Sequence, residues 1–117
     1  DWGSCQSDSW PIFDWCDFVF TYAAFCHQAM KRRGFFDLED ARAAIHMLFT
    51  PPTNYVADTL QSATKLFLQW QGLSPSTWPA IFAAFLPTLK HTWDVASLVR
   101  YALPLLVAWC DHLSINL

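Results

Sequence analysis

The stretch SWPIFDWCDFVFTYAAFCHQAMKRRG, from Ser9 to Gly34, decides the fold. Ser9 can cap a helix, and Pro11 suits its first turn, where a missing N–H leaves no bond unmade. Asp14 and Asp17 sit near the start and Lys31, Arg32 and Arg33 at the end, the order the helix dipole prefers. Gly34 supplies the stop. The spacing therefore predicts one long helix over about residues 10–33. Its polar stripe is narrow: Asp14, Asp17, Thr21, Gln28 and Lys31. Trp15, Phe18, Tyr22 and Phe25 line one side, and Ile12, Val19, Ala23 and Met30 continue the apolar surface. A helix apolar over most of its circumference belongs inside a protein, so this one is expected to be central.

Working outward, stop signals divide the remainder. Residues 1–9 are small and polar and read as an N-terminal arm; residues 10–117 read as a single helical domain. Asp37, with Asp40 three residues on, opens a second helix in a capping-box arrangement. It runs to Phe49 and stops at Thr50-Pro51-Pro52. Thr53 or Asn54 caps a third, which ends at Gly72. Ser74-Pro75 and Thr77-Trp78-Pro79 are both good openings for a fourth, which Pro87 should kink or break. Thr92 caps a fifth, bent at Pro104. No sustained alternation of period two occurs, so strands are not expected. About five helices with short connections predict an all-α compact bundle. The fifth helix is also apolar nearly all round. One domain easily buries only one such helix at its centre, so the fifth is expected to cover its second face with a partner.

Composition narrows the function classes. The 117 residues are 54% hydrophobic, with 7 Trp, 3 Tyr and 10 Phe, which excludes an intrinsically disordered chain. No run approaches the ~18 apolar residues of a membrane-spanning helix. A net charge of −3 with only 7 Lys and Arg argues against nucleic acid as a partner. Charged residues make up 15%, against roughly 25% in an ordinary domain. So sparse a charged surface points to an apolar face covered by another protein or by a second copy. A membrane surface or an apolar ligand is the less favoured partner. The chain opens on Asp1 rather than Met, as expected of a processed product or a piece of something larger.

Cys5, Cys16, Cys26 and Cys110 allow three pairings. Cys16 and Cys26 lie about 15 Å apart along one helix and cannot join. The short segment after Cys5 cannot reach Cys26. Two disulfides would therefore be Cys5–Cys16 and Cys26–Cys110, the second requiring the first and fifth helices side by side. Four reduced cysteines serving as small core residues is the competing reading. Oxidation would imply a secreted chain, and free thiols an intracellular one, so the sequence leaves localisation open.

Catalysis finds little support. No GxSxG elbow, HExxH or phosphate-binding glycine loop is present. Cys26-His27 and Cys110-Asp111-His112 do not make a zinc site, because adjacent helical residues point about 100° apart. His27, His46, His91 and His112 read as surface or capping residues, and the carboxylates as caps. No cofactor is implied. Lys31, Arg32 and Arg33 could contact an anion, although dipole compensation already explains them. Phe67-Leu68-Gln69-Trp70 followed by Gly72-Leu73-Ser74-Pro75 is similar, over a short stretch, to the W motif of oomycete RXLR effectors. The rest of the chain does not share that pattern, and it identifies no family. The sequence thus predicts a non-catalytic interaction or assembly module. Its expected anchors are Trp78, Phe82, Phe85, Trp93 and Trp109 of the fourth and fifth helices. The alternative is a secreted, disulfide-stapled effector, toxin or apolar-ligand carrier.

Overall fold

The computed structural model describes residues 11–31, 37–89 and 94–115. These form five α-helices: α1 (Pro11–Lys31), α2 (Leu38–Leu48), α3 (Tyr55–Trp70), α4 (Trp78–Phe85) and α5 (Val95–Ile115). No strand occurs among the described residues. The fold is an all-α bundle.

Local chemistry sets the helix ends. Asp37 accepts the Asp40 N–H at 3.1 Å, and the Asp40 carboxylate accepts the Asp37 N–H at 3.0 Å, closing the capping box. Asn54, rather than Thr53, caps α3 by accepting the Ala57 N–H at 2.8 Å. Gly72 then adopts φ +73°, a left-handed conformation that favours glycine. Leu73 N–H reaches back to the Leu68 carbonyl at 2.9 Å and Gly72 N–H to that of Gln69 at 3.0 Å, so orphan carbonyls of α3 are satisfied. Both proposed openings of the fourth helix are used. Ser74 caps a single 3-10 turn, Pro75–Thr77, which leads directly into α4. Pro87 lies in a second 3-10 turn, Leu86–Thr88, so α4 stops at Phe85. Pro104 is accommodated inside α5. The cap of α5 is Asp94, whose side chain accepts the Ser97 N–H at 3.1 Å. Thr92 lies outside the described residues, as do residues 1–9.

α1 packs on α2, α3 and α4; α2 also meets α3 and α5, and α4 meets α5. The core seam of α1 is Ile12, Cys16, Val19 and Ala23, all fully buried. Ala23 and Ala24 on α1 and Ala41 and Ala44 on α2 are also buried, and small residues on two packed helices let the backbones approach closely. The rest of the core combines aliphatic residues such as Ile45, Leu48, Leu68, Leu86 and Leu98 with an aromatic cluster. Phe82 is fully buried, with its ring centroid 5.0 Å from Phe49, 5.7 Å from Trp78, 5.6 Å from Phe85 and 6.2 Å from Phe20. Phe49 stacks on Trp78 at 5.8 Å and meets Trp109 edge-on at 6.3 Å. Such offset and edge-to-face pairs are the arrangements that ring quadrupoles prefer.

Two expectations change here. Trp78, Phe82 and Phe85 are core residues, not exposed anchors, because α4 is short and meets both α1 and α5. Trp109 is only half-buried, and Trp93 lies outside the described residues. The Cys26–Cys110 disulfide is not formed: α1 packs on α2, α3 and α4, whereas α5 packs on α2 and α4. The side-by-side placement of first and fifth helices that the pairing needed is therefore not the arrangement adopted. Cys16 is a free, buried thiol, and Cys5 lies outside the described residues.

Candidate functional site

Packing α1 by its small-residue seam leaves its aromatic seam outside. Phe18 is 41% exposed, Tyr22 48% and Phe25 58%. These residues follow Trp15 at spacings of three, four and three, so all four share one stripe of the helix. The stripe is ordered from within. Trp15 stacks on Phe67 of α3 with centroids 4.8 Å apart and ring planes 7° from parallel. Its indole Nε1 donates to the Thr64 hydroxyl at 3.0 Å, and that hydroxyl donates to the Leu60 carbonyl at 2.8 Å. Phe18 packs against Trp15 at 5.5 Å and Tyr22 against Phe18 at 6.0 Å. Where α3 crosses α1, Phe67 faces Trp15; Leu66 and Trp70 follow on the same flank of α3. They are 64% and 89% exposed. The result is an exposed aromatic stripe on α1, bordered by Asp14, Thr21 and Gln28, with Leu66 and Trp70 exposed on the α3 helix that packs on it. A second, smaller apolar strip runs along the outside of α5 through Leu103 and Val107, 49% and 62% exposed.

Several titratable groups tie the helices together. Asp40 is fully buried: one carboxylate oxygen accepts the Asp37 N–H and the other meets His27 Nδ1 at 2.7 Å. His27, read from sequence as a surface or capping residue, thus ties α1 to the start of α2. A four-residue spacing cannot reveal a pair thirteen residues apart, so only packing discloses it. Arg42 donates to the Ser97 hydroxyl at 3.0 Å, and its guanidinium lies over the Tyr101 ring at 5.8 Å, joining α2 to α5. Burial pushes the Cys16 thiol far above its ordinary range and raises that of Cys26. Burial thus favours the protonated form of both thiols. Among the described residues, no three His, Cys, Asp or Glu side chains are grouped to hold a metal. Nor is any helix among them long and apolar enough to cross a membrane. Arg32, Arg33 and the side chain of Lys31 lie outside the described residues.

Compared with known proteins, the chain matches no family model, no curated protein and no solved structure. The site must be read from its own geometry.

Two clefts remain. One, of about 330 Å³, has Leu48, Leu68, Trp78 and Trp109 among its lining residues, together with Asp58 and Lys65. The other, of about 410 Å³, runs along α2 beside His27, Arg42, His46 and Tyr101. Its His27 and Arg42 are engaged as described, and Glu39, His46, Thr50 and Asn54 also line it. The sequence grouped Trp15, Phe18, Tyr22 and Phe25 correctly on one side of a helix. It missed that this side faces outward.

Proposed function

We propose that the protein is a non-catalytic helical interaction module that docks through the aromatic face of α1 and α3. The observation that carries this reading is the exposure of Phe18, Tyr22, Phe25, Leu66 and Trp70 on adjoining helices. Scattered exposed apolar residues are ordinary, but several large ones on two helices that pack together, in a chain so poor in charge, are the usual mark of an interface. Trp, Tyr and Phe also carry the most binding energy when such a face is covered. The low charge of the chain supports the same reading, and the anchors move from α4 and α5 to α1 and α3.

Site-specific photo-crosslinking in the cells that make the protein tests it. A benzoylphenylalanine at position 22 or 70 should give defined adducts, and the same group at exposed Glu39 on α2 should not. Equal yields at all three positions, or none, would sink the reading. The 330 Å³ cleft supports a second reading, an apolar-ligand carrier. Quenching of tryptophan fluorescence by bound fatty acid, lost in Trp109→Ala, would favour that reading over the first.

A further inference from the structure

We infer that the cleft of about 330 Å³ lined by α3 and the aromatic cluster binds a small primary amine with an apolar body, such as an arylalkylamine. This rests on the ligand-carrier reading of that cleft, not on the docking face of α1 and α3, and it names the head group the ligand carries. The walls divide by chemistry. Leu48, Leu68 and Trp78 are buried and form the floor, and half-buried Trp109 of α5 adds to the apolar wall. A mostly apolar cleft with a few placed polar groups is the usual form of a small-ligand site, and such sites start at about 300 Å³. The polar wall belongs to α3. Its Thr64 hydroxyl is already bonded to the Trp15 indole and the Leu60 carbonyl. The groups left for a ligand are Asp58, Gln61, Ser62 and Lys65, whose spacing of three, four and seven residues sets them on one stripe.

Gln61 decides the head group. Its Nε2 donates to the Met47 carbonyl at 2.9 Å and to the Thr50 carbonyl at 2.8 Å, so both amide protons are used and the side chain is held in one orientation. Its Oε1 accepts no bond from the described residues. Because no buried side-chain oxygen among them lacks a partner, that atom is open to solvent. The cleft thus presents a fixed acceptor that needs no reordering to receive a donor. One turn earlier on the same stripe stands the Asp58 carboxylate, which is exposed and makes no ion pair with a described residue. An ammonium placed there meets a full negative charge and a carbonyl oxygen together, and the nearby indoles favour a cation as well. A carboxylate placed there meets two acceptors. Lys65 is the one cation of the stripe. It stands two turns from Asp58, about 10 Å along the axis, and its exposed flexible stem lets the ammonium stay in water.

Titration of the full chain with 2-phenylethylamine, 2-phenylethanol and 3-phenylpropanoate, followed by two-dimensional NMR at neutral pH, tests this. The three probes share a ring and differ in the charge of the head. The amine should shift the signals of Asp58, Gln61, Ser62 and the Trp78 indole, and it should bind about fivefold or more tightly than the carboxylate, with the alcohol between them. Asp58→Asn, a change at an exposed position that circular dichroism should show to be harmless, should bring the amine to within about twofold of the alcohol. Lys65→Gln should leave the amine bound at least as tightly as in the wild type. A carboxylate that binds more tightly than the amine overturns the proposal, and so does an amine preference that survives Asp58→Asn or signals that shift elsewhere in the fold. Equal binding of all three probes overturns the amine but leaves an apolar-ligand cleft standing. Binding of none overturns both, and the crosslinking at positions 22 and 70 is unaffected by either result.

Discussion

Phe82→Ala separates a core ring from an interface ring more sharply than any other substitution. Phe82 is fully buried and touches Phe20, Phe49, Trp78 and Phe85, so truncation opens a cavity where α4 meets α1 and removes four ring contacts. Burying a phenylalanine and then deleting it costs about 3–5 kcal/mol in well-packed cores. Four rings pack on it, and rigid rings relax poorly into a void, which puts the expected loss near 4 kcal/mol. For 117 residues the unfolding entropy near the transition is about 0.25 kcal/mol/K, so the midpoint should fall by roughly 15 °C. Guanidinium titration followed by circular dichroism and by tryptophan fluorescence would measure the loss, since Trp78 reports from within the same cluster. The titration should be repeated over a range of protein concentrations, because any self-association would add a mass-action contribution to stability. Phe25→Ala, on the exposed seam, should change the concentration-independent part by less than about 1 kcal/mol. If Phe82→Ala falls within 1 kcal/mol of wild type with an unchanged denaturant slope, Phe82 is not a core ring and the assigned packing of α4 is wrong.

Trp15→Phe keeps the stack on Phe67 but removes the indole donor to Thr64; it should cost about 1 kcal/mol by urea denaturation. A neutral result would mean that the Thr64 hydroxyl does not depend on that donor. Asp40→Ala deprives both His27 and the Asp37 N–H of their acceptor and should cost about 2–4 kcal/mol, while Asp40→Asn, which retains a cap acceptor, should cost less. Equal losses would show that the cap is not what Asp40 contributes. Thiol labelling of the native protein, read by peptide mass spectrometry, should modify exposed Cys110 first, half-buried Cys26 more slowly and Cys16 only on unfolding. Because burial raises the Cys16 thiol, the folded state keeps its proton while the unfolded thiol ionises above about pH 8.5. Stability should therefore decline as pH rises past that value, and Cys16→Ala should remove this part of the decline. A native Cys16 that reacts as fast as Cys110 would contradict its burial.

Helix ends were legible because their causes are local. The Asp37–Asp40 box, the Asn54 cap, the Gly72 stop and the Pro87 break each involve groups within a few residues of one another. Sequence spacing also showed that Trp15, Phe18, Tyr22 and Phe25 share a side of α1. It could not show which side faces the core. α1 carries two apolar seams, one of Ile12, Cys16, Val19 and Ala23 and one of larger aromatic rings. Hydrophobicity ranks the aromatic seam as the better candidate for burial. The bundle chose the other, because α2 presents Ala41 and Ala44, and two small-residue surfaces can approach closely enough to fill the space between them. The same reasoning places Phe82 and Trp78 inside, where Phe49 and Phe20 supply ring partners from helices distant in sequence. By itself the sequence determined five helices, their approximate extents and their apolar stripes, since backbone capping and periodicity act over one or two turns. Which stripe is core and which is left for a partner was decided only in the tertiary structure, because burial depends on the shape of the surface that another helix brings against it.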